Sequence, residues 1–189
     1  MGLFYKVSEK DLLKIRNKIF LEKGIPSLSK NNFQKSPFPN SWYGKDDIGG
    51  YTYEMCRVTN NSYLEIVTAL IVKGDKWIKI YLNIFKLQPE LKSLSEMQSV
   101  DGIKFDLPPN SKTKMRLRSD DYKGPPLLYM LFLPEHKIKS FNSKRGLEKR
   151  TEELGMLIEQ DLVNIDSFVN RWYELHKPNV VDWEGNKYK

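Results

Sequence analysis

Two long apolar runs between Ser62 and Leu87, separated by the turn-forming pair Gly74 and Asp75, constrain the fold of this chain more than any other feature. Both runs are rich in β-branched and aromatic residues, which is typical of a β-hairpin. Side chains of a strand alternate between its two faces, so the even-numbered apolar residues of the second run should face the core. These residues are Ile78, Ile80, Leu82 and Ile84.

The first run, which begins at Tyr63, is apolar on both faces and is therefore predicted to be a central strand covered on both sides. Its register with the second run depends on the length of the turn between them. A two-residue turn would set Ile71 beside Ile78, whereas a three-residue loop would set Val72 beside Ile78. The sequence leaves both registers open, and the choice decides which side chains share a face.

Sequence patterns outside the hairpin predict a third strand, over 51–58, and helices at both ends of the chain. Ser8 is a good helix N-cap, and Gly24 and Pro26 are expected to end the helix that begins there. After Ser143, apolar residues recur every three or four positions. This period predicts one long helix, or two helices broken near 161–166.

These elements predict a single α+β domain over residues 1–189. We expect an antiparallel β-sheet of about four to six strands, centred on a meander over 51–87. The sheet should pack against the N-terminal helix and against the long C-terminal helix or helix pair. A further buried strand is expected over 126–134, and residues 179–189 should form a tail.

The charge of the chain is concentrated in one segment. The formal net charge is +7. Residues 104–150, the cationic sector, contain twelve Lys and Arg against five Asp and Glu, so this sector accounts for the whole excess. An uneven distribution of this kind favours binding to an anionic partner.

Every second residue at the centre of the cationic sector is basic, which predicts a strand with a basic outer face and an apolar inner face. The cations are Lys112, Lys114, Arg116 and Arg118, and they alternate with Thr113, Met115 and Leu117. One interpretation is an edge strand that charge protects against pairing with other chains. The other is a contact surface for phosphates or for an acidic protein.

The long connection 25–50 contains a second candidate contact surface. Its prolines and glycines disfavour regular structure, except for a short strand near Phe33. Trp42 and Tyr43 lie at its centre. They are interpreted either as part of an aromatic seal over one sheet face or as an exposed anchor for a partner.

The inventory of chemically active residues leads us to expect no catalytic residue, no metal site and no cofactor. One Cys and two His cannot build a structural zinc centre. The sequence has no phosphate-binding glycine loop and no nucleophile elbow. Cys56 lies within a predicted strand and is interpreted as a small core residue.

One arrangement in the cationic sector resembles a nuclease active site. Glu135 and Lys137 follow an apolar run, and Asp121 lies 14 residues before Glu135. These three residues resemble the D…(D/E)-x-K arrangement of the restriction-endonuclease-like nucleases. The resemblance implies two carboxylates that hold Mg²⁺ and a lysine that assists the attacking water. It covers these residues alone, and Pro134 indicates that the preceding strand has already ended.

We therefore expect a non-catalytic binding or inhibitor protein that contacts an acidic protein partner. Its contact residues would be Lys112, Lys114, Arg116, Arg118, Trp42 and Tyr43. The specific form we expect is a toxin-neutralising, immunity-type protein of a bacterial cytoplasm. A single Cys, the lack of a secretory signal and the lack of a long apolar run favour the cytoplasm without membrane contact.

Two alternatives remain open, as does the oligomeric state. The first is a nucleic-acid-binding protein, in which the same cations contact phosphates and Trp77 or Tyr122 stacks on bases. The second is a metal-dependent nuclease built on Asp121, Glu135 and Lys137.

Overall fold

Three long antiparallel strands form the centre of the structure, a computed structural model that describes residues 5–38, 42–106, 114–122, 124–125 and 134–175. These strands are β3 (Tyr51–Thr59), β4 (Tyr63–Ile71) and β5 (Lys79–Gln88). Shorter strands extend the sheet, β1 (Gln34–Lys35) and β2 (Tyr43–Lys45) beside β3, and β6 (Lys104–Asp106) and β7 (Lys114–Arg116) beside β5. The predicted meander is confirmed as the centre of an antiparallel sheet, which has seven strands over the described residues.

The register between β4 and β5 is the one predicted for a two-residue turn. Val67 lies opposite Leu82, and the same register continues along both strands. The connection 72–78 is longer than two residues, and within it Gly74 has a φ of 80°, a conformation that favours glycine. The register therefore fixes the faces of the hairpin even though the two arms separate before the turn.

Ile78, just before β5, and Ile80, Leu82 and Ile84 within it face the helices, and none is more than 1% exposed, as predicted. Met115 and Leu117, the inner residues of the basic segment, are buried in the same main core. On the other face of the sheet, the chain after β5 packs over one end of β4. This smaller apolar cluster contains Cys56, Leu64, Leu87, Leu91, Leu94 and Met97. At this end β4 is a central strand covered on both faces, as expected.

The N-terminal helical region is longer than predicted. It consists of α1 (Glu9–Ile19), a π-helical turn (Phe20–Gly24) and α2 (Ile25–Lys30). The predicted N-cap is confirmed, since the Ser8 hydroxyl accepts a hydrogen bond from the Asp11 N–H at 3.1 Å. The predicted stop is wrong, because Pro26 lies in the first turn of α2, where its missing N–H is tolerated. Gly24 does not end the helix either: a Cβ at this position would lie 2.5 Å from the Phe20 ring, so the glycine permits close packing.

The C-terminal region forms two helices, α3 (Lys144–Val163) and α4 (Ile165–Leu175). Helix α3 begins directly after Ser143, as predicted, and Ser143 is its N-cap, since its hydroxyl accepts a hydrogen bond from the Gly146 N–H at 3.0 Å. The helices separate at Asn164, whose amide donates to the Gln160 carbonyl oxygen at 2.8 Å. These helices and α1 cover the core face of the sheet, which confirms the α+β class.

Other predictions have mixed outcomes. The connection 25–50 contains α2, β1 and β2, so the expectation of little regular structure there was wrong, whereas the short strand near Phe33 is confirmed as β1. The strand expected over 126–134 and the tail over 179–189 fall on residues that, except for Pro134, lie outside the described ranges. Within those ranges, no helix has the length and apolar character that crossing a membrane would require.

Arg16 joins α1 to both arms of the hairpin. Its side chain is fully buried where β4 and β5 separate. The guanidinium donates hydrogen bonds to the carbonyl oxygens of Val72, at 3.1 Å, and Trp77, at 2.9 Å. Burial lowers the pKa of Arg16, and the nearby Asp75 carboxylate opposes that shift. One side chain therefore satisfies carbonyl groups on both sides of the loop.

Replacing Arg16 with methionine, which keeps much of the side-chain volume, should reduce the free energy of unfolding by about 2–4 kcal/mol. The carbonyl oxygens of Val72 and Trp77 would lose their donor at a site closed to water. Urea denaturation measures the effect. The matched control is Lys14→Met at an exposed position of α1, which should change stability by less than about 0.5 kcal/mol. Equal stabilities of the two variants would contradict this role of Arg16.

Candidate binding face of the sheet

The strand register aligns five residues across the sheet face that points away from the helices. We call them the outer row: Trp42, Glu54, Thr68, Tyr81 and Arg116. Thr68 lies opposite Glu54 on one side and opposite Tyr81 on the other, and Tyr81 lies opposite Arg116. The Glu54 N–H donates to the Trp42 carbonyl oxygen at 2.8 Å, which continues the row past β3. Directly opposed residues of antiparallel strands share a face, so the row is continuous.

The two contact surfaces that the sequence predicted separately therefore include residues of one sheet face. Trp42 is 45% exposed at one end of the outer row, and Arg116 lies at the other end. Four strand spacings, about 19 Å, separate them. Tyr43 belongs to the opposite face, where its ring contacts the Tyr53 ring edge-to-face at 5.4 Å between centres. The structure thus places Trp42, but not Tyr43, on the same face of the sheet as the cations of the basic strand.

Arg116 also belongs to a group of residues around Trp77 that we call the cationic patch. The patch consists of Trp77, Lys114, Arg116 and Lys137. The Arg116 guanidinium carbon and the Lys137 Nζ each lie 4.6 Å from the centre of the Trp77 ring. Lys137 forms a β-bridge with Trp77, and Lys114 is exposed on the same face of β7 as Arg116. Cation–π attraction holds two of the three cations against one ring.

The predicted basic strand ends earlier than expected, and Arg118 is not on its outer face. Strand β7 ends at Arg116, and Arg118 has a φ of 62°. Asp120 closes a turn here, because its carboxylate accepts a hydrogen bond from the Arg116 N–H at 2.9 Å and its own N–H donates to the Arg116 carbonyl oxygen at 2.9 Å. Lys112 lies outside the described residues. Lys114 and Arg116 are the cations of this segment that the structure shows on the outer face.

Arg118 instead binds Asp161, a buried carboxylate of α3. Arg118 Nη2 lies 2.7 Å from one carboxylate oxygen of Asp161, and His136 Nε2 lies 2.7 Å from the other. The side chains of Asp161 and His136 are 4% and 3% exposed. Burial alone would raise the pKa of Asp161, but hydrogen bonds from His136 and Arg118 outweigh it, so the pKa is lowered. We call Arg118, His136 and Asp161 the clamp.

Sequence reasoning did not identify Asp161 as a structural residue. The sequence position of Asp161 could have identified it, since it lies among the apolar residues Ile158, Leu162 and Ile165, all of which are fully buried. A carboxylate on the buried side of an amphipathic helix needs a hydrogen-bonded or cationic partner. That position predicts a buried partner but does not identify it.

In the nuclease-like arrangement, Glu135 and Lys137 pair with each other, and Asp121 has contacts of its own. Arg171 donates a hydrogen bond to the Asp121 carbonyl oxygen at 2.9 Å. Burial raises the pKa of the Asp121 carboxyl. Within the described part of the chain, no three His, Cys, Asp or Glu side chains form a group that could hold a metal ion. The geometry of the described residues therefore gives the nuclease hypothesis no further support.

Comparisons with protein-family models, with curated proteins and with solved structures find no match to this chain. Function is therefore inferred from the geometry of the outer row and the cationic patch.

Cys56 is buried in the smaller apolar cluster. Burial raises the pKa of its thiol to about 12. A thiol with so high a pKa is almost entirely protonated at neutral pH, and only the thiolate is a good nucleophile. The environment of Cys56 therefore suits a core residue.

In the folded protein at pH 8, Cys56 should react with a disulfide reagent such as DTNB at least about 100-fold more slowly than in the urea-unfolded chain. The raised pKa removes the thiolate, and burial excludes the reagent. The absorbance of the released thiol measures both rates. Labelling of the folded protein at the rate of the unfolded chain would show that Cys56 is accessible and ionisable.

Proposed function

We propose that this chain is a non-catalytic binding or inhibitor protein that contacts an acidic protein surface through the outer row and the cationic patch. The observation that carries the proposal is the register, because it places the exposed Trp42 and the cation Arg116 on one face of the sheet. A bulky aromatic anchor at one end and cations at the other form a common arrangement at protein interfaces.

The charges of the patch support an acidic partner. Lys114 and Arg116 form no ion pair with a carboxylate among the described residues, whereas Arg57 and Arg118 are each paired with one. Unpaired cations on one face attract a partner of opposite charge and exclude partners of like charge. Trp77 holds the Arg116 guanidinium in place, which reduces the entropy that it loses on binding.

Protection of a sheet edge is the other interpretation of these cations. Charged side chains along a strand are enough to protect a sheet edge, and they do not need to contact an aromatic ring. The contacts of Arg116 and Lys137 with Trp77, and the alignment with Trp42, favour a contact surface.

The specific form of this proposal is a toxin-neutralising, immunity-type protein of a bacterial cytoplasm. A single small domain that binds by surface complementarity suits the neutralisation of one acidic effector. Affinity capture from source cells identifies the candidate effector, and coproduction of the two proteins tests neutralisation. Growth should be restored by the wild type and not by Lys114→Ala/Arg116→Ala. Restoration of growth by both would contradict the proposed surface.

The double variant Lys114→Ala/Arg116→Ala should bind a fluorescein-labelled polyglutamate peptide about tenfold more weakly than the wild type. The variant removes two unpaired cations from the outer face. Fluorescence anisotropy at low salt measures both dissociation constants. The matched control, Lys144→Ala/Arg145→Ala, removes the same charge from exposed positions at the start of α3 and should stay within about twofold of the wild type. Equal losses in both double variants would mean that net charge, and not the patch, attracts the peptide.

A single-stranded oligonucleotide in the same assay tests the nucleic-acid alternative. Two cations already contact the Trp77 ring, and the Tyr122 ring lies so close to Gly124 that a side chain there would clash with it. These neighbours reduce the ring surface on which a base could stack. We expect no binding at physiological salt. Tight oligonucleotide binding that weakens steeply as salt is raised would replace the acidic protein with a nucleic acid as the partner.

A further inference from the structure

The two segments that contribute the cations over Trp77 share one buried anchor. Arg116 lies two residues before Arg118, and Lys137 directly follows His136. Both anchoring side chains bind the same carboxylate, that of Asp161. The clamp therefore connects the two segments through α3.

Main-chain hydrogen bonds hold each segment to the hairpin but do not replace the clamp. The Leu117 N–H donates to the Ile80 carbonyl oxygen at 3.0 Å, and the Ile138 N–H donates to the Lys76 carbonyl oxygen at 3.0 Å. These bonds place one segment beside β5 and the other beside the end of the hairpin loop that precedes β5. The direction in which each segment leaves the sheet edge depends on the contacts of its side chains. Asp161 binds one side chain from each segment, Arg118 from the first and His136 from the second.

The Asp161 carboxylate at the centre of the clamp is buried. Arg118 and His136 contact it directly, and the Asp121 carboxylate is close enough to interact with it electrostatically. Without the Asp161 charge, the half-buried Arg118 guanidinium would lack its carboxylate partner and would move toward water. Movement of Arg118 would displace the end of β7, and with it Arg116.

We infer that Asp161 is a positioning residue, which sets the distance between Arg116 and Lys137 and so makes the patch fit an acidic partner. This inference rests on the proposed function. Asp161 would then contribute to binding affinity although it is buried and does not itself contact the partner. The same carboxylate should also determine the surroundings of the Trp77 ring, which do not depend on any partner.

The test compares Asp161→Asn, which keeps the shape of the side chain, with Leu28→Ala. Leu28 is fully buried in α2, so its truncation lowers stability without touching the clamp. Both variants are studied at a temperature at which each is fully folded. Asp161→Asn should weaken polyglutamate binding about fivefold and shift the indole N–H resonance of Trp77 in NMR spectra. Leu28→Ala should stay within about twofold of the wild type and leave that resonance in place.

Equal behaviour of Asp161→Asn and Leu28→Ala in both measurements would overturn the inference. If Asp161→Asn does not fold, His136→Leu removes one of the two contacts, because leucine has no hydrogen-bond donor, and should change both measurements in the same direction. A shifted Trp77 resonance together with unchanged affinity would also overturn it, provided that Lys114→Ala/Arg116→Ala weakens binding. If that double variant binds like the wild type, the proposed function fails. The resonance alone then decides whether Asp161 holds the two segments.

Discussion

The register of the central meander is the constraint on which the rest of the structure depends. A shift of one residue between β4 and β5 would exchange the faces of every side chain in one arm. The observed register sends Val67 and Leu82 into the core and leaves Thr68 and Tyr81 on the outer face. It therefore sets both the packing against the helices and the row of residues from Trp42 to Arg116. Arg16 supports this register by donating hydrogen bonds to both sides of the hairpin loop.

Among the residues that the structure describes, buried charges connect the sheet to the helices at three places. Arg16 joins α1 to the hairpin, and Asp161 joins α3 to the edge beside β5. At the third place, Arg57 of β3 pairs with the buried Glu65 of β4 and also contacts Asp166 at the start of α4. Such groups contribute little net stability after desolvation, but removing one partner of a pair is strongly destabilising. Their positions suggest that they specify how each helix docks on the sheet.

The sequence predicted the features that depend on local pattern. The burial of Ile80, Leu82 and Ile84 in β5 and the N-cap Ser8 follow from alternation and cap chemistry, which neighbouring residues determine. The continuation through Gly24 and Pro26 does not, because it depends on the packing of Phe20. Arg118 continues the alternation of basic and apolar residues in the sequence. The turn closed by Asp120 and the contact with the distant Asp161 nevertheless direct its side chain away from the outer face of the sheet. The outer row could not be predicted, since its alignment required the register that the turn left open.

Oxidative footprinting with a captured acidic partner tests most directly whether the outer face of the sheet is the binding surface. Hydroxyl radicals oxidise exposed aromatic and sulfur-containing side chains, so each exposed group reports on its own surface. Trp42 lies on the outer face, whereas Met156 of α3 and Tyr173 of α4 are exposed on the helices. Binding should lower the oxidation rate of Trp42 and leave those of Met156 and Tyr173 unchanged. Protection of Met156 and Tyr173 with no change at Trp42 would place the partner on the helices and contradict this account.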